Sequence, residues 1–291
     1  TRIFVELIEL NLSNKNKILI VECEGKKGLD KCVANYRGDR AKCYKCKSGL
    51  FSLKEKYLQN ININFIKYET TLKSFNILKL NDHRDLKKFE YKGINIGLAV
   101  HSSTITTFKD HAYSIRKKEK YILNSLKSSA ITIETLIKND ADLMFTFNGR
   151  ASHYNSILNY AKFFKKDFSV FEVSANKEKY VLIENEPIHS ADSYTREIEN
   201  TWNNSRLSIR EKEKKRNLFF KINSGIVFSK KFNIQIFSND NSKYLNSFKR
   251  KIKNKKRIIS IFNSSRDEFE CIENWNNNRF YEDDEQLIDK V

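Results

Sequence analysis

Apolar residues follow two periodicities between Asp142 and Pro187. Leu143–Phe147 is a continuous apolar and aromatic run of strand length, and apolar positions then recur at helical spacing over Ile157–Phe164. A second strand-like run, Phe168–Glu172, follows. Strand, turn, helix and strand form the βαβ unit, which requires a parallel sheet covered by helices. The pattern therefore predicts an α/β fold.

Polar residues stand at the ends of both predicted strands. Asn148, Gly149 and Arg150 follow the first strand, and Glu172 ends the second. In parallel sheets, ligands bind outside the carboxyl ends of the strands. We therefore predict that this edge of the sheet forms the floor of a binding site.

The preceding part of the chain carries similar elements. Residues 61–68 alternate like a strand, and Ser114–Lys138 has helical spacing. Residues 91–100 predict a strand that leads to Ser102 and Ser103 at a helix start. We favour one of these serines as a simple helix cap, and the alternative is an anion site built with backbone N–H groups.

The C-terminal part contains one more strand-to-helix transition. An apolar run over residues 257–262 ends in small polar residues, and Ser264 or Ser265 suits a helix N-cap ahead of Asp267 and Glu268. A serine-rich turn before a helix N-terminus also suits a phosphate group. Both interpretations can hold together, because a backbone cradle uses the cap geometry.

The composition allows several partners. The 291 residues carry a formal net charge of +18, which would suit nucleic acid. However, the chain is rich in Lys, Asn and Ile with a single Pro, a bias typical of AT-rich coding sequences, and its basic residues are mostly dispersed. Phosphate-bearing substrates or peripheral contact with an anionic membrane fit the charge as well. Nucleic acid is therefore the less favoured partner.

Two further signals concern location. No apolar run approaches the roughly 20 residues of a membrane span, and the first residues lack the features of a signal peptide. We expect a cytoplasmic protein that can work at the inner face of the membrane. The first residue is not Met, which is consistent with a fragment.

Four of the five cysteines cluster after the strand predicted over residues 17–23. Cys23, Cys32, Cys43 and Cys46 have the spacing C-x8-C-x10-C-x2-C. Two thiolates separated by two residues can reach one tetrahedral ion, so a structural zinc site is one interpretation. A group of reduced thiols is the other, and a disulfide is disfavoured in a reducing compartment.

In this order the motifs resemble the two-domain glycosyltransferases of bacterial capsule and surface polysaccharide synthesis, which have the GT-B architecture. Three blocks spanning most of the chain carry the likeness. They are the first strand with Cys23–Gly25, Cys32, Asn35, Cys43 and Cys46; Phe147–Arg150 with Glu172, Tyr180, Pro187–His189 and Trp202; and Phe262–Glu268 with Trp275 and Gln286.

The resemblance implies a Rossmann-like acceptor domain over residues 1–250, with a parallel sheet and helices on both faces. Residues 251–291 would begin a C-terminal domain that binds a nucleotide sugar. The implied reaction moves a sugar from a nucleotide-activated donor to a glycan or lipid-linked glycan acceptor. A second domain that stops at Val291 would be incomplete, so such a chain is expected to be inactive alone.

Sugar transfer needs a base for the acceptor hydroxyl and donors for the leaving phosphate. We assign the base to Glu172 or His189, with His153 as a replacement for His189, and the orientation of acceptor or phosphate to Arg150. Substrate contacts are assigned to polar residues at strand ends and helix starts: Asn148, Gly149, Ser102, Ser103, Ser264, Ser265 and Glu268.

Several features limit these assignments. The chain has His189-Ser190 where a His-Asp pair is expected, with Asp192 two residues later. Glu172 is also explained as an ordinary carboxylate at a strand end. Arg150 is also explained as one half of an ion pair across the sheet edge. Because no Asp-x-Asp follows a predicted strand, catalysis is expected to need no cofactor or metal.

Two alternatives come from other classes. A basic nucleic-acid-binding module with a zinc knuckle would interleave aromatic and basic residues on one surface, whereas most Phe residues here fall in apolar runs. Another nucleotide-using α/β enzyme is disfavoured because the chain has neither G-x-G-x-x-G nor a Walker-type loop.

Overall fold

The computed structural model describes residues 2–23, 35, 37, 39–58, 63–68, 80–173, 180–188, 190–223 and 271. These residues form a mixed α/β structure with small sheets. In chain order, its elements are α1 (Arg2–Ser13), β1 (Leu19–Glu22), α2 (Arg40–Leu53) with a π-helical turn (Lys54–Leu58), β2 (Asn64–Lys67), α3 (His83–Lys87), β3 (Glu90–Tyr91), β4 (Ile94–Asn95), α4 (Gly97–Phe108), α5 (Ile115–Asn139), β5 (Leu143–Phe147), α6 (Ser152–Phe164), β6 (Asp167–Val173), β7 (Tyr180–Glu184), α7 (Ala191–Asn203) and α8 (Ile209–Asn223).

The predicted α/β class is confirmed at this level. The predicted βαβ unit is present as β5, α6 and β6, and β5 pairs with β6 in parallel from Leu143–Asp167 to Phe147–Phe171. β7 lies on the other side of β6. A second parallel pair joins β1 to β2, which lie within the strands predicted over residues 17–23 and 61–68.

Two compact units divide the chain. Of the described residues, the first unit contains those up to Phe171, those from Leu182 to Ile188, and Cys271. The second contains residues 172–173, 180–181 and 190–223. The predicted domain boundary near residue 250 lies outside the described residues and stays a prediction.

Three helices build the core of the first unit. α5 packs against α6 and α4, and six apolar residues of these helices are fully buried: Val100, Ile105, Ile122, Leu126, Ile133 and Leu158. The strand face toward the helices is buried too, because Met144 and Thr146 are buried while Leu143 and Phe147 are exposed. A smaller cluster joins α1 to β1 and α2 through Val5, Ile8, Ile20, Leu53 and Leu58.

The strand predicted over residues 91–100 is wrong. This stretch forms the short antiparallel hairpin of β3 and β4, with Lys92 and Gly93 at positive φ in its turn. α4 then begins at Gly97, where a Cβ would lie 1.7 Å from the Leu86 carbonyl oxygen. A side chain is impossible at that distance, so position 97 requires glycine, and α4 begins ahead of the serines that were predicted to lie at a helix start.

Among the described residues, no helix combines the length and the apolar character that crossing a membrane requires.

Candidate functional site

The turn after β5 is held by its own backbone. Asn148 and Gly149 both lie in the left-handed region, with φ of 58° and 74°. Asn tolerates this region better than other residues with a Cβ. A Cβ at Gly149 would lie 2.9 Å from Leu158 Cδ2. The Asn148 N–H donates to the Phe171 carbonyl at 2.9 Å, so a hydrogen bond joins the turn to β6.

The side chain of Asn148 also orients Arg150. Asn148 Oδ1 accepts a hydrogen bond from Arg150 Nε at 3.0 Å and a longer one from the Arg150 backbone N–H at 3.3 Å. Arg150 is half-buried. Its planar fork matches carboxylate and phosphate groups, and a fixed orientation lowers the cost of binding them.

Two asparagines of α6 support the turn through hydrogen bonds. Asn155 Nδ2 donates to the Gly149 carbonyl at 3.0 Å. Asn159 Nδ2 in turn lies 2.9 Å from Asn155 Oδ1 and 2.7 Å from the Asn95 carbonyl oxygen, which connects the turn to β4. Sequence reasoning missed these residues, although two Asn one helical turn apart on a largely buried helix were a usable signal.

Ser103 reaches the same place from α4. Its Oγ accepts a hydrogen bond from the backbone N–H of Ser152, the first residue of α6, at 2.9 Å. The predicted position of Ser102 and Ser103 at a helix start is wrong, because both are buried in the interior of α4. Ser103 nevertheless lies beside the predicted turn, and it does so by capping a helix other than its own.

The N-terminus of α6 lies next to the turn after β5. Its N-cap residue is Ala151, whose side chain makes no capping hydrogen bond. The hydroxyl of Ser152 is buried and has no hydrogen-bond partner among the described residues. A helix N-terminus carries partial positive charge, so with Arg150 this end of α6 forms an electropositive region.

His153 is the second residue of α6 and is 6% exposed. Burial lowers its pKa to about 4, so the imidazole is neutral at pH 7. Its Nδ1 is buried and finds no hydrogen-bond partner in the part of the chain that the structure describes, and its ring centroid lies 4.0 Å from that of Tyr154. The protonation state suits a base, but the burial leaves little access for a substrate.

Glu172 belongs to the second unit and directly follows Phe171 in β6. Its Oε1 accepts a hydrogen bond from the Val173 N–H at 3.1 Å. The structure therefore brings together Asn148, Gly149, Arg150 and Ser103. His189, Ser264, Ser265 and Glu268 lie outside the described residues, and their assigned roles stay predictions.

The cysteine cluster is described only in part. Asn35 Nδ2 lies 3.0 Å from Cys43 Sγ, and the described cysteines form no disulfide. Within the described ranges, no three His, Cys, Asp or Glu side chains converge to hold a metal ion. Because Cys32 lies outside those ranges, a site formed by Cys23, Cys32, Cys43 and Cys46 stays a prediction.

A histidine and tyrosine cluster, which sequence reasoning also missed, joins α3 to α4. His83 Nε2 lies 2.6 Å from the Tyr113 carbonyl oxygen, which can only accept, so this nitrogen carries the proton. The Tyr113 hydroxyl lies 2.8 Å from Nδ1 of the buried His101. His83 and Tyr113 line a shallow cleft of about 340 Å³ together with Asp82 and Arg84.

A second cleft, of about 400 Å³, lies at the end of β2 and is lined by Tyr68, Thr135 and Lys138 among others. Burial raises the pKa of Tyr68, and a hydrogen bond with Thr132 lowers it by less. Neither cleft contains a residue that the sequence assigned to the site. Of the described residues, several of those assigned to the site come together at the turn after β5.

Comparisons of the chain with protein-family models, with curated proteins and with solved structures found no match.

Proposed function

We propose that this protein is a glycosyltransferase that moves a sugar from a nucleotide-activated donor to a surface glycan or lipid-linked glycan. The observation that carries the proposal is the turn at the end of β5. Asn148 and Gly149 hold a left-handed backbone there, and Asn148 orients Arg150. This is the edge of a parallel pair of strands where α/β proteins bind their ligands.

The chemistry of the turn supports phosphate or hydroxyl recognition. Arg150 offers positive charge, and the N-terminus of α6 adds the partial charge of a helix dipole. In sugar transfer, such groups stabilise the leaving phosphate or position the acceptor. Glu172 and His189 remain the proposed bases. We propose no cofactor or metal for this reaction.

The finer form of the fold belongs to the same proposal. We infer a Rossmann-like acceptor domain of the GT-B architecture, with further helices on the second face of its parallel sheet. Support comes from the two parallel strand pairs and from α6, which connects β5 to β6 as a crossover helix. A nucleotide-sugar-binding domain that begins near residue 251 remains part of the proposal.

A binding titration tests the function. Purified protein is titrated with UDP-, GDP- and CMP-sugars and with oligosaccharides of surface glycans, at about 50 and 200 mM salt. We expect saturable binding of at least one ligand and a loss of affinity of about tenfold in Arg150→Ala, because a charge-assisted hydrogen bond is removed. Arg150→Lys should restore little, since Lys lacks the fork.

The exposed Arg116 on α5 provides the matched control. Arg116→Ala removes the same charge far from the turn in sequence and should leave affinity unchanged. Equal losses in both variants would show that only overall charge matters. No binding of any sugar or nucleotide sugar would contradict the proposal.

One observation favours nucleic-acid binding as a second candidate function. α2 buries only Leu53, and its exposed aromatic residues Tyr44 and Phe51 are interleaved with Lys45 and Lys47. Aromatic side chains among basic ones suit single-stranded nucleic acid. Single- and double-stranded DNA therefore belong in the same panel, and steeply salt-dependent DNA binding that Tyr44→Ala weakens would support this candidate.

A further inference from the structure

The second unit exposes large apolar side chains on adjoining helices. Ile198 and Trp202 are one helical turn apart on α7 and therefore share a face, and they are 65% and 43% exposed. Ile209, at the start of α8, is 80% exposed. Single exposed apolar residues are common, but three within twelve positions of chain indicate a surface with a partner.

The segment that carries Ile209 is strongly basic, whereas α7 carries three acidic residues and one basic residue. Six Lys and Arg residues and two Glu residues lie between Arg206 and Arg216, which gives this segment a net charge of +4. Lys212 connects the two helices, because its Nζ donates to the Trp202 carbonyl at 2.8 Å and lies 5.3 Å from the Trp202 ring centroid. Basic and apolar groups thus adjoin each other in one unit.

We propose that α7 and α8 form a docking surface for an anionic lipid bilayer. Trp202 would lie at the level of the headgroups, Ile198 and Ile209 would enter the acyl boundary, and the basic residues of α8 would contact lipid phosphates. Juxtaposed basic and apolar residues bind such membranes because the two attractions add. This inference does not depend on sugar transfer.

The residue types favour a bilayer over other partners. The bases of nucleic acid stack on aromatic rings, so nucleic-acid binding does not explain two exposed isoleucines. A second copy of this chain would bring two segments of the same charge together, which opposes association. An anionic bilayer complements both the positive charge and the aliphatic side chains.

Vesicle co-sedimentation tests the proposal with the full chain. Vesicles of equal parts phosphatidylglycerol and phosphatidylcholine are compared with pure phosphatidylcholine. We expect binding to the anionic vesicles alone, and a fall in the partition coefficient of at least about tenfold in the double variant Lys214→Glu/Lys215→Glu. Trp202 emission should shift to the blue on binding, and Trp202→Phe should abolish that shift.

Two matched controls separate this surface from general charge. Lys117→Glu/Lys120→Glu makes the same charge change at exposed positions in the first turns of α5, where acidic residues are tolerated. For the apolar part, Ile198→Asn should weaken binding, whereas Leu10→Asn at another well-exposed aliphatic position, on α1, should not.

Three results would overturn the proposal. The first is an equal loss of binding in the two charge-reversal variants, and the second is binding to anionic vesicles with no change in Trp202 emission. The third is displacement of the protein from vesicles by single-stranded DNA, combined with vesicle binding of Ile198→Asn that equals that of the unmodified chain. The last would assign the basic surface to nucleic acid.

Discussion

At the residue scale, Asn148 and Gly149 adopt the same backbone region under different constraints. Asn148 keeps a side chain that accepts from Arg150, whereas Gly149 has no room for one beside Leu158. The two positions therefore respond differently to substitution. Asn148→Gly introduces no backbone strain, whereas Gly149→Ala introduces both backbone strain and a close contact.

We predict that Gly149→Ala destabilises the protein by about 2 kcal/mol, since left-handed strain adds to a close contact with Leu158. Asn148→Gly should change stability by less than about 1 kcal/mol, because its backbone region favours glycine. Urea unfolding of both variants measures the difference. Equal stability of Gly149→Ala and the unmodified chain would show that the turn is built differently.

His153 gives a prediction for pH. Its folded pKa of about 4 lies below the usual value of about 6.5. As pH falls below about 6.5, His153 takes up a proton in the unfolded chain, whereas in the folded chain it stays neutral down to about pH 4. The stability that neutral His153 retains above pH 6.5 is therefore lost as pH falls through this window, by about 3 kcal/mol.

Urea unfolding between pH 7 and 4 checks the prediction for His153. The slope of unfolding free energy against pH should flatten in His153→Leu relative to the unmodified chain. His111→Gln, at an exposed position, serves as the control and should keep the original slope. An unchanged slope in His153→Leu would show that this imidazole is not buried as described.

At the element scale, the βαβ unit could be predicted from the sequence because its signals are local. These signals lie close together in the sequence: a strand-length apolar run, Asn148-Gly149 and the helical spacing over Ile157–Phe164. Two of the contacts that support the turn could not be predicted in this way. The contacts from Ser103 and from Asn95 cross 49 and 64 positions, so they appear only after folding.

The misplaced start of α4 has a similar cause. Serines suit an N-cap, and sequence reasoning placed the helix start at Ser102 or Ser103 on that ground. The helix begins instead at Gly97, which lies close against Leu86. Such packing between α3 and α4 leaves no local pattern apart from the glycine itself.

The link between α4 and α6 predicts the effect of Ser103→Ala. The variant leaves the buried Ser152 N–H without its acceptor, which should cost about 1–2 kcal/mol. Ser156→Ala is the control, because Ser156 Oγ donates only to Ser152 of its own helix, and it should cost less than about 0.5 kcal/mol. Thermal unfolding compares the two, and equal losses would argue against the link.

The end of α6 predicts a gain in stability. Lys165 terminates this helix in the left-handed region with φ of 54°, where glycine is favoured. Lys165→Gly should therefore stabilise the protein by about 0.5–1 kcal/mol. Lys162→Gly, three residues earlier within the helix, should destabilise it by about 1 kcal/mol. Urea unfolding should show shifts of opposite sign, and shifts of the same sign would contradict the assigned helix end.

At the scale of the whole molecule, the two units carry different proposed tasks. The first unit contains the turn after β5, and the second contains the basic and apolar surface of α7 and α8. Ligand recognition and membrane docking can therefore be altered separately. We expect Arg150→Ala to leave vesicle binding unchanged and Lys214→Glu/Lys215→Glu to leave ligand affinity unchanged, measured by the two binding assays on each variant. A loss of both activities in either variant would contradict this separation.

Hydrogen–deuterium exchange tests the central claim most directly, namely that the turn after β5 binds a nucleotide sugar or glycan. The full chain is exchanged with and without a pool of UDP-, GDP- and CMP-sugars and surface oligosaccharides. We predict slower exchange in peptides covering Asn148–Tyr154, with no change in peptides of α2, and no such protection in Arg150→Ala. Protection confined to other peptides, or none at all, would contradict the account.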